Sequence, residues 1–373
     1  MTIKYTNIVI LSSVILLLIG ILIAGSYITT ILAQIHSNNK STISSTGTAA
    51  TATAYKNSHI NYSKNINIWG LIPNGSSTTN HLGIWHSAMV DESGNEQVSQ
   101  NAIYNFENNS GKKLALVVFS NDWYDGISFP IAMANIIKQN NAVPIIRMVP
   151  WVSNGQNLSN AGPYTVSNIS NGQHDTALKQ WAKTARIFRS PILVDFGYEP
   201  NTNYFPWSKQ GAAKYIDAYR HIVSIFRQQN ATNVYFIYHP DMGSNVDEMK
   251  KWYPGDQYVD WILASAYGDD GKIGSLGVLN NSYQKLAAIS ASKPLGIEEW
   301  GIGSPTDTKN TLNALAQNKF PKIRILSIWN EGPTGGMDRR IEQSPEMLKS
   351  YKDGIANSFY LSSNFNPTPL IAQ

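Results

Sequence analysis

Short apolar runs recur along the central part of the chain and alternate with segments whose apolar residues have helical spacing. The apolar runs are Leu82–His86, Leu114–Ser120, Val143–Val149, Ile192–Gly197, Asn233–His239, Tyr258–Ala264, Pro294–Glu299 and Ile323–Trp329. The helical segments are clearest at Thr176–Phe188, Ala212–Gln228 and Thr308–Gln317. Strands that are apolar almost throughout and alternate with helices indicate a parallel sheet with both faces buried.

The number of predicted strands favours a closed barrel. Eight strands in a body of about 290 residues, from residue 66 to residue 357, match an α/β fold of the (β/α)8 TIM-barrel type in number and size. An open, doubly wound sheet is the alternative, and such sheets usually carry a glycine-rich phosphate-binding turn after the first strand. The sequence there is Trp85-His86-Ser87-Ala88, which has no such turn. We therefore predict a (β/α)8 barrel.

An uncharged, strongly apolar stretch precedes this body. No Asp, Glu, Lys or Arg occurs between Tyr5 and Asn39, and Ile8–Ala24 is dominated by Ile, Leu and Val. Because about 20 apolar residues span a bilayer as a helix, we predict that residues 1–36 form a transmembrane helix that anchors the protein in a membrane. A cleaved signal peptide is the alternative, although the stretch is long for one and Ile23-Ala24-Gly25 is a poor cleavage site.

Two further segments have too little apolar surface to offset the entropy lost on ordering. Residues 37–65 are rich in Ser, Thr, Ala and Asn and contain no acidic residue. We predict a flexible linker there and a loose tail over residues 358–373. With an uncleaved anchor, the barrel is expected to be membrane-tethered and extracytoplasmic; with a cleaved one, it is secreted.

Composition narrows the class of function. Only 14% of residues are charged and the net charge is +4, so no nucleic-acid-binding surface is expected. The absence of cysteine excludes disulfides, thiolate metal sites and cysteine nucleophiles. No His, Asp or Glu motif has metal-ligand spacing, so we expect no metal and no cofactor. Ten tryptophans and 19 tyrosines in a weakly charged chain suggest flat apolar ligands.

Two carboxylates stand at predicted strand ends, where a barrel of this type places its catalytic groups. Glu199 closes the fourth strand and Glu299 the seventh, and both strands are otherwise largely apolar. Such a pair can flank a sugar, and in glycoside hydrolysis a separation of about 5–5.5 Å gives retention whereas about 6.5–9.5 Å gives inversion. The alternative is that both are ordinary carboxylates paired with Arg or Lys.

The segment Phe196–Trp207 resembles the acid/base segment of glycoside hydrolase family 26, the family of β-mannanases and related endoglycanases, in which a strand ends in a Glu followed by Asn and an aromatic-Pro-Trp. Other segments similar to that family follow in the same order: Ile169–Asp175, Tyr219–Arg227, Trp252–Trp261 and Glu299–Gly301. The similarity covers most of residues 82–354. It implies a retaining (β/α)8 glycosidase.

The resemblance also implies roles for single residues. Glu199 would be the proton donor (acid/base) and Glu299 the nucleophile. Glu298 is the other candidate nucleophile, and strand alternation is expected to turn it away from the face that carries Glu299. The chain departs from the family around the acid/base, with Tyr198 in place of His and Pro200 in place of Met. Tyrosine donates a hydrogen bond but carries no charge near neutral pH.

Other candidate site residues also lie at strand ends. Tyr267 could hydrogen-bond the nucleophile, and Trp329 could form a sugar platform because sugar faces pack on aromatic rings. Weaker candidates for substrate contacts, each equally explained by core packing, are Trp207, Trp151, Trp123, His86 and His239. Arg147 lies inside the third strand and needs a carboxylate partner, for which Asp195 is one possibility.

These features support one leading hypothesis and two alternatives. The leading one is a membrane-tethered, retaining endo-β-glycosidase with a monomeric catalytic domain that cleaves a β-linked polysaccharide, with β-mannan favoured and β-xylan or β-glucan possible. The first alternative is a non-catalytic glycan-binding barrel at the cell surface, because a shared fold does not guarantee activity. The second is an unrelated barrel enzyme such as an aldolase or isomerase, which would require a lysine or a metal in the barrel mouth.

Overall fold

The computed structural model describes residues 83–90, 98–152, 161–267, 275–301, 303–332 and 338–362. The predicted membrane helix (1–36), the predicted linker (37–65) and the end of the predicted tail lie outside these residues. Of the helices that are described, none is both long and apolar enough to cross a bilayer.

The described part of the chain alternates between strands and helices, as the apolar pattern predicts. The strands are β1 (Ile84–Val90), β2 (Leu116–Asp122), β3 (Val143–Val149), β4 (Ile192–Phe196), β5 (Val234–Tyr238), β6 (Trp261–Ala266), β7 (Leu295–Trp300), β8 (Ile323–Asn330) and β9 (Tyr360–Leu361). The helices are α1 (Gln100–Ser110), α2 (Ile131–Gln139), α3 (Val166–Ser170), α4 (Asp175–Phe188), α5 (Ala212–Gln228), α6 (Val246–Trp252), α7 (Leu276–Ile289), α8 (Pro305–Ala316) and α9 (Pro345–Ile355). Two short 3-10 turns follow β2 and β4, at Trp123–Asp125 and Pro206–Ser208.

The first eight strands form a closed parallel barrel. Consecutive strands pair from β2 to β8, and β1 closes the ring by pairing with β8 on one side (Trp85 opposite Ile325) and with β2 on the other (Ser87 opposite Leu116). The predicted (β/α)8 architecture is therefore confirmed. Because all these strands run in one direction, their carboxyl ends meet at one mouth of the barrel.

The core consists of two layers, one on each face of the barrel sheet. The inner layer includes Trp85, Leu116, Ile145, Leu193, Ile237, Leu263 and Ile325. The outer layer fills the space between the strands and the helices. On β7 the inner position is Gly296, where a Cβ atom would lie only 3.0 Å from Ile325 Cβ. Burial of each large apolar side chain contributes about 1.5–3 kcal/mol, so both layers hold the mouth on a rigid frame.

The start of the predicted tail belongs to the fold. Tyr360 is buried, pairs with Ile84 of β1 and donates a hydrogen bond from its hydroxyl group to the carbonyl oxygen of Leu312 at 2.6 Å. The expectation of a loose tail from residue 358 is corrected to this extent, because a single aromatic residue finds both a strand partner and a buried acceptor.

Close packing of α8 against α9 gives a stability prediction. A Cβ atom on Gly354 would lie 2.5 Å from Leu312 Cδ1, so Gly354→Ala forces the two helices apart. We expect the free energy of unfolding to fall by about 1–3 kcal/mol, the usual effect of overpacking, as measured by urea unfolding followed by circular dichroism.

Gly277→Ala is the matched control, because Gly277 is also helical and the nearest atom that a Cβ there would meet among the described residues is Ser275 Oγ, at 3.8 Å. Alanine has the higher helix propensity, so this variant should be neutral or slightly stabilised. Equal losses in the two variants would contradict the packing argument.

Candidate active site

The main candidate residues gather at the carboxyl ends of four strands. Glu199 lies just after β4 and Tyr267 directly follows β6. Glu299 is the penultimate residue of β7, and Trp329 is the penultimate residue of β8. This is the end of the barrel at which enzymes of this fold carry out their chemistry.

The backbone around Glu199 adopts an unusual conformation. Glu199 has φ +50° and Gly197 has φ +57°, both in the left-handed region. A non-glycine residue held there costs about 1–3 kcal/mol and persists only when its surroundings fix it. The Glu199 N–H donates to the His239 carbonyl oxygen at 2.6 Å, which ties the loop after β4 to the end of β5.

A cluster of aromatic side chains packs against the loop after β4 and holds it in place. The Trp207 Nε1–H donates to the Tyr198 carbonyl oxygen at 2.7 Å. Phe205 stacks on Trp207 with ring centroids 4.6 Å apart, and Tyr198 packs edge-on against both rings. Trp151 packs against Trp207 at 5.8 Å. The aromatic-Pro-Trp motif therefore acts on the loop that carries Glu199.

An irregularity in β7 brings two glutamates to the inside of the barrel. Along β6 and β7, Ala264 pairs with Ile297 and Ser265 pairs with Glu299, so Glu298 is an extra residue without a counterpart on β6. Such a bulge interrupts strict alternation and re-aims the side chains beside it. The expectation that Glu298 and Glu299 lie on opposite faces is wrong, because both side chains contact Arg147.

Arg147 is the cation shared by these two carboxylates. Its Nε–H donates to Glu298 Oε1 at 2.9 Å, and its Nη2 is paired with Glu299 Oε1. The guanidinium also lies over two aromatic rings, 4.8 Å from Tyr198 and 5.3 Å from Trp329.

Asp195, the partner of Arg147 suggested from the sequence, instead pairs with His239. His239 Nδ1 lies 2.9 Å from Asp195 Oδ2, and both side chains are fully buried. Neighbouring strands β3 and β4 do set Arg147 opposite Asp195, but the ion pairs of Arg147 reach across to β7.

Glu298 and Glu299 experience this cation differently. Burial raises the pKa of Glu298, but Arg147 and His239 outweigh burial and lower the pKa to about 2. Glu298 therefore remains a buried carboxylate. Glu299 is at the rim of the mouth, where Tyr267 donates from its hydroxyl group to Glu299 Oε2 at 2.9 Å while Arg147 holds Oε1. Both oxygens of Glu299 are thus oriented.

The electrostatic environment of Glu199 favours its protonated form. Burial and the nearby charge of Glu299 raise its pKa, whereas His239 and a hydrogen bond from Ser265 oppose the rise. The site therefore combines an oriented carboxylate, Glu299, with a neighbouring carboxyl group that keeps its proton to higher pH. This is the division of roles that a two-carboxylate mechanism needs.

One cluster has the composition of a metal site. Asp195, His239 and Glu298 offer ligand atoms within 4.8 Å of one another. However, His239 Nδ1 already faces the carboxylate of Asp195 at hydrogen-bond distance, and Glu298 is already paired with Arg147. We therefore describe these residues as a buried ion-pair network.

The structure corrects several weaker candidates. His86 is fully buried in the outer layer, where its Nε2 lies 2.8 Å from the hydroxyl group of Tyr351 on α9. Trp123 is fully buried against Tyr164 and Phe196. Neither ring can meet a sugar, because each lies between the strands and the surrounding helices and loops.

Trp207 and His239 are also buried, and both act on the loop after β4 rather than on a ligand. Trp151 keeps only a small exposed area. Trp329 is half-buried at the mouth, so it remains the candidate sugar platform. Ser265 was not identified from the sequence, because a serine at the end of an apolar strand carries no signal that separates it from other small strand residues.

The arrangement of a (β/α)8 barrel with two carboxyl groups at its mouth is that of many sugar-cleaving enzymes. Residues 163–312 match the family described as glycosyl hydrolase family 26. The resemblance to glycoside hydrolase family 26 is thereby confirmed, and the matched segment includes Glu199, Tyr267 and Glu299.

Two characterised relatives align with the chain. Endoglucanase H of Acetivibrio thermocellus is 29% identical over 291 residues, which are 73% of this chain and 30% of that protein. Mannan endo-1,4-beta-mannosidase A and B of Caldalkalibacillus mannanilyticus is 26% identical over 147 residues, 36% of this chain and 27% of that protein. The chain thus matches less than a third of the length of either relative.

Solved structures share the fold. A family 26 β-mannanase from Bacteroides ovatus superposes with a TM-score of 0.58 at 15% identity, covering 79% of this chain and 94% of that one. A modular endo-β-1,4-mannanase from Cellulomonas fimi superposes with a TM-score of 0.56 at 20% identity, covering 75% of this chain and 72% of that one. At these identities the likeness concerns the fold alone.

Removal of the shared cation should destabilise the barrel in a pH-dependent way. Arg147→Met leaves two buried carboxylates without their partner, which typically costs about 3–5 kcal/mol. In the wild type, the lowered pKa of Glu298 contributes stability that is present above the unfolded-state pKa of about 4.3 and is lost as the pH falls toward 2. The difference between variant and wild type should therefore be largest near neutral pH and should shrink below about pH 4.

Urea unfolding of the wild type and the variant, at neutral pH and again below about pH 4, measures this difference in the free energy of unfolding. Adding Glu298→Gln to Arg147→Met removes one stranded charge and should recover part of the loss at neutral pH. A loss that is the same at both pH values would contradict the electrostatic explanation.

Proposed function

We propose that this protein is a glycoside hydrolase, and more narrowly a retaining endo-β-glycosidase that cleaves a β-linked polysaccharide by double displacement. The observation that carries the proposal is the pairing at the barrel mouth. Glu299 has both oxygens held, by Arg147 and Tyr267, and it raises the pKa of Glu199 nearby. A carboxylate with both oxygens held suits a nucleophile, and a carboxyl group with a raised pKa suits a general acid.

In the first step, Glu299 attacks the anomeric carbon while Glu199 donates its proton to the oxygen of the leaving sugar. The carbon–oxygen bond to the leaving group breaks and a glycosyl–Glu299 ester forms. The hydrogen bond from Tyr267 to Glu299 Oε2 orients the attacking carboxylate. Trp329, which is half-buried at the mouth, offers a ring on which a sugar face can pack.

In the second step, Glu199 acts as a base. It accepts a proton from a water molecule that attacks the anomeric carbon, and Glu299 leaves as a carboxylate, which restores the original configuration. Once Glu299 is esterified its charge is gone, so the pKa of Glu199 falls and the group is ionised when the base is needed.

The proposed substrate is β-mannan or β-glucan, with β-xylan less favoured. The names of the two relatives, an endoglucanase and a mannan endo-1,4-β-mannosidase, support a glucan or a β-1,4-linked mannan as the substrate. We further propose an extracytoplasmic location with a membrane anchor, or secretion if the anchor is cleaved, and a monomeric catalytic domain. That part rests on the apolar stretch within residues 1–36 and on the substrate class.

The release of reducing ends from mannan, glucan and xylan tests the proposal, using the full chain purified in detergent. Glu199→Gln should lower the rate by about 10²–10⁴, as expected for loss of a general acid, and Glu299→Ala should abolish product formation. Glu346→Gln, on the exposed first turn of α9, is the matched control and should retain full activity. Binding without hydrolysis in the wild type would instead favour a non-catalytic glycan-binding barrel.

The pH profile gives a second test. Activity needs Glu199 protonated in the first step, so kcat/KM should fall on the alkaline side as Glu199 loses its proton. Because burial and Glu299 raise the pKa of Glu199, the alkaline fall should lie above the usual glutamate range of about 4.3.

The alkaline limb of the profile, the fall of kcat/KM with rising pH, can be tested by itself. For this purpose Glu199→Gln is assayed on an aryl glycoside with an activated leaving group. Such a substrate needs no proton donor, so the alkaline fall should disappear. An unchanged alkaline limb in this variant would mean that another group controls it.

A further inference from the structure

Three hydrogen bonds connect the acid/base candidate to a buried carboxylate that the proposed mechanism does not use. Ser265 donates from its hydroxyl group to Glu199 Oε1 at 2.8 Å. His239 Nε2 lies 3.0 Å from Ser265 Oγ, and His239 Nδ1 lies 2.9 Å from Asp195 Oδ2. Asp195 lies in β4 and Ser265 in β6, whereas Glu199 and His239 follow β4 and β5. His239, Asp195 and Ser265 are all buried.

The hydrogen count along this chain determines the protonation of His239. Ser265 has one hydroxyl hydrogen and gives it to Glu199, so Ser265 Oγ can only accept from His239 Nε2. Burial and the charge of Glu298 raise the pKa of Asp195 to about 7, and above that pH Asp195 is a carboxylate that can only accept from His239 Nδ1. With Asp195 ionised, both ring nitrogens of His239 carry hydrogen, and the side chain is an imidazolium cation.

The surroundings of His239 stabilise that charge. Burial lowers its pKa, but Asp195 and then Glu298 raise the pKa well above the ordinary value for histidine. Glu298 Oε2 lies 3.7 Å from His239 Nδ1, and Tyr198 packs against the ring without adding charge. The charged groups that act on His239 or Glu199 are Asp195, Glu298, Glu299 and Asp241, and Arg147 acts in turn on Asp195 and Glu298.

We propose that Ser265 and His239 are positioning residues that set the protonation of Glu199 by stabilising its carboxylate through a relay from Asp195. This proposal rests on the proposed function of Glu199 as acid/base. The relay acts against burial and Glu299, which both favour the protonated form. It therefore limits how strongly Glu199 holds its proton. This matters because Glu199 must release that proton in the first step and take up another in the second.

The relay also selects the reactive oxygen. Because Ser265 occupies Glu199 Oε1, the exchangeable proton is directed to Oε2. No net proton has to move along the relay: when Glu199 gives its proton to the leaving oxygen, the hydrogen bonds from Ser265 and His239 stay in place and strengthen against the new negative charge.

Ser265→Ala tests the relay, since it removes one oxygen atom and leaves the Asp195–His239 pair intact. Loss of a hydrogen bond to a charged group is expected to move the alkaline limb of kcat/KM upward by about one pH unit. Ser327→Ala is the matched control: Ser327 is a fully buried barrel serine whose Oγ has no hydrogen-bond partner among the described residues. Its alkaline limb should coincide with that of the wild type.

Ser265→Thr keeps the hydroxyl group, so the alkaline limb of its kcat/KM profile should lie within about a few tenths of a pH unit of the wild-type position. A fall in kcat without a shift of the limb in Ser265→Ala would indicate a structural role and overturn the proposal. An equal shift in Ser265→Thr would also overturn it, because volume and not the hydroxyl group would then be responsible.

A measurement without turnover separates this proposal from the proposed function. Nuclear magnetic resonance of the unaltered chain labelled with ¹⁵N-histidine, assigned by the signal lost in His239→Gln, should find both ring nitrogens of His239 protonated on the alkaline side of neutral pH, where Asp195 is ionised. A neutral His239 overturns the relay even if the protein cleaves glycans. An imidazolium in a protein that cleaves no glycan supports the relay and contradicts the proposed function.

Discussion

The buried guanidinium of Arg147 is the interaction on which the rest of the site depends. It lies inside the barrel, pairs with Glu298 and Glu299 and packs against two aromatic rings. Two carboxylates this close, in a region of low dielectric, could not both remain ionised without such a cation. The charge of Glu299 in turn raises the pKa of Glu199, so a residue on β3 influences a proton held after β4.

Around this cation the site has a fully buried part and a part that faces the mouth of the barrel. Glu298, His239 and Asp195 are fully buried and form ion pairs that hold one another in place. Glu199 and Glu299 lie at the rim, each fixed by neutral hydroxyl donors as well as by charge. Burial raises the pKa of Glu298, but Arg147 and His239 lower it to about 2, so Glu298 keeps its charge near neutral pH while Glu199 at the mouth exchanges its proton.

The loop after β4 shows how strain and packing are combined at one residue. The left-handed backbone of Glu199 is unfavourable for a residue with a side chain, and it is held by the carbonyl oxygen of His239 and by the ring of Trp207 beneath Tyr198. Tyr198 adds a ring over Arg147. The departure from the family pattern at this position thus has a local role, which is to cover the guanidinium with an uncharged aromatic side chain.

The sequence determined the barrel, because eight apolar strands alternating with helices can be buried in few other ways, and it identified Glu199, Glu299 and Tyr267 from their strand-end positions and motifs. It could not assign the partner of Arg147 or the role of Ser265. Strict alternation separates Glu298 from Glu299, and only the bulge in β7, which depends on pairing with β6, turns both inward. Tertiary structure decided these points because the contacts join strands that are distant in sequence, where a shift of one residue changes which side chain faces the interior.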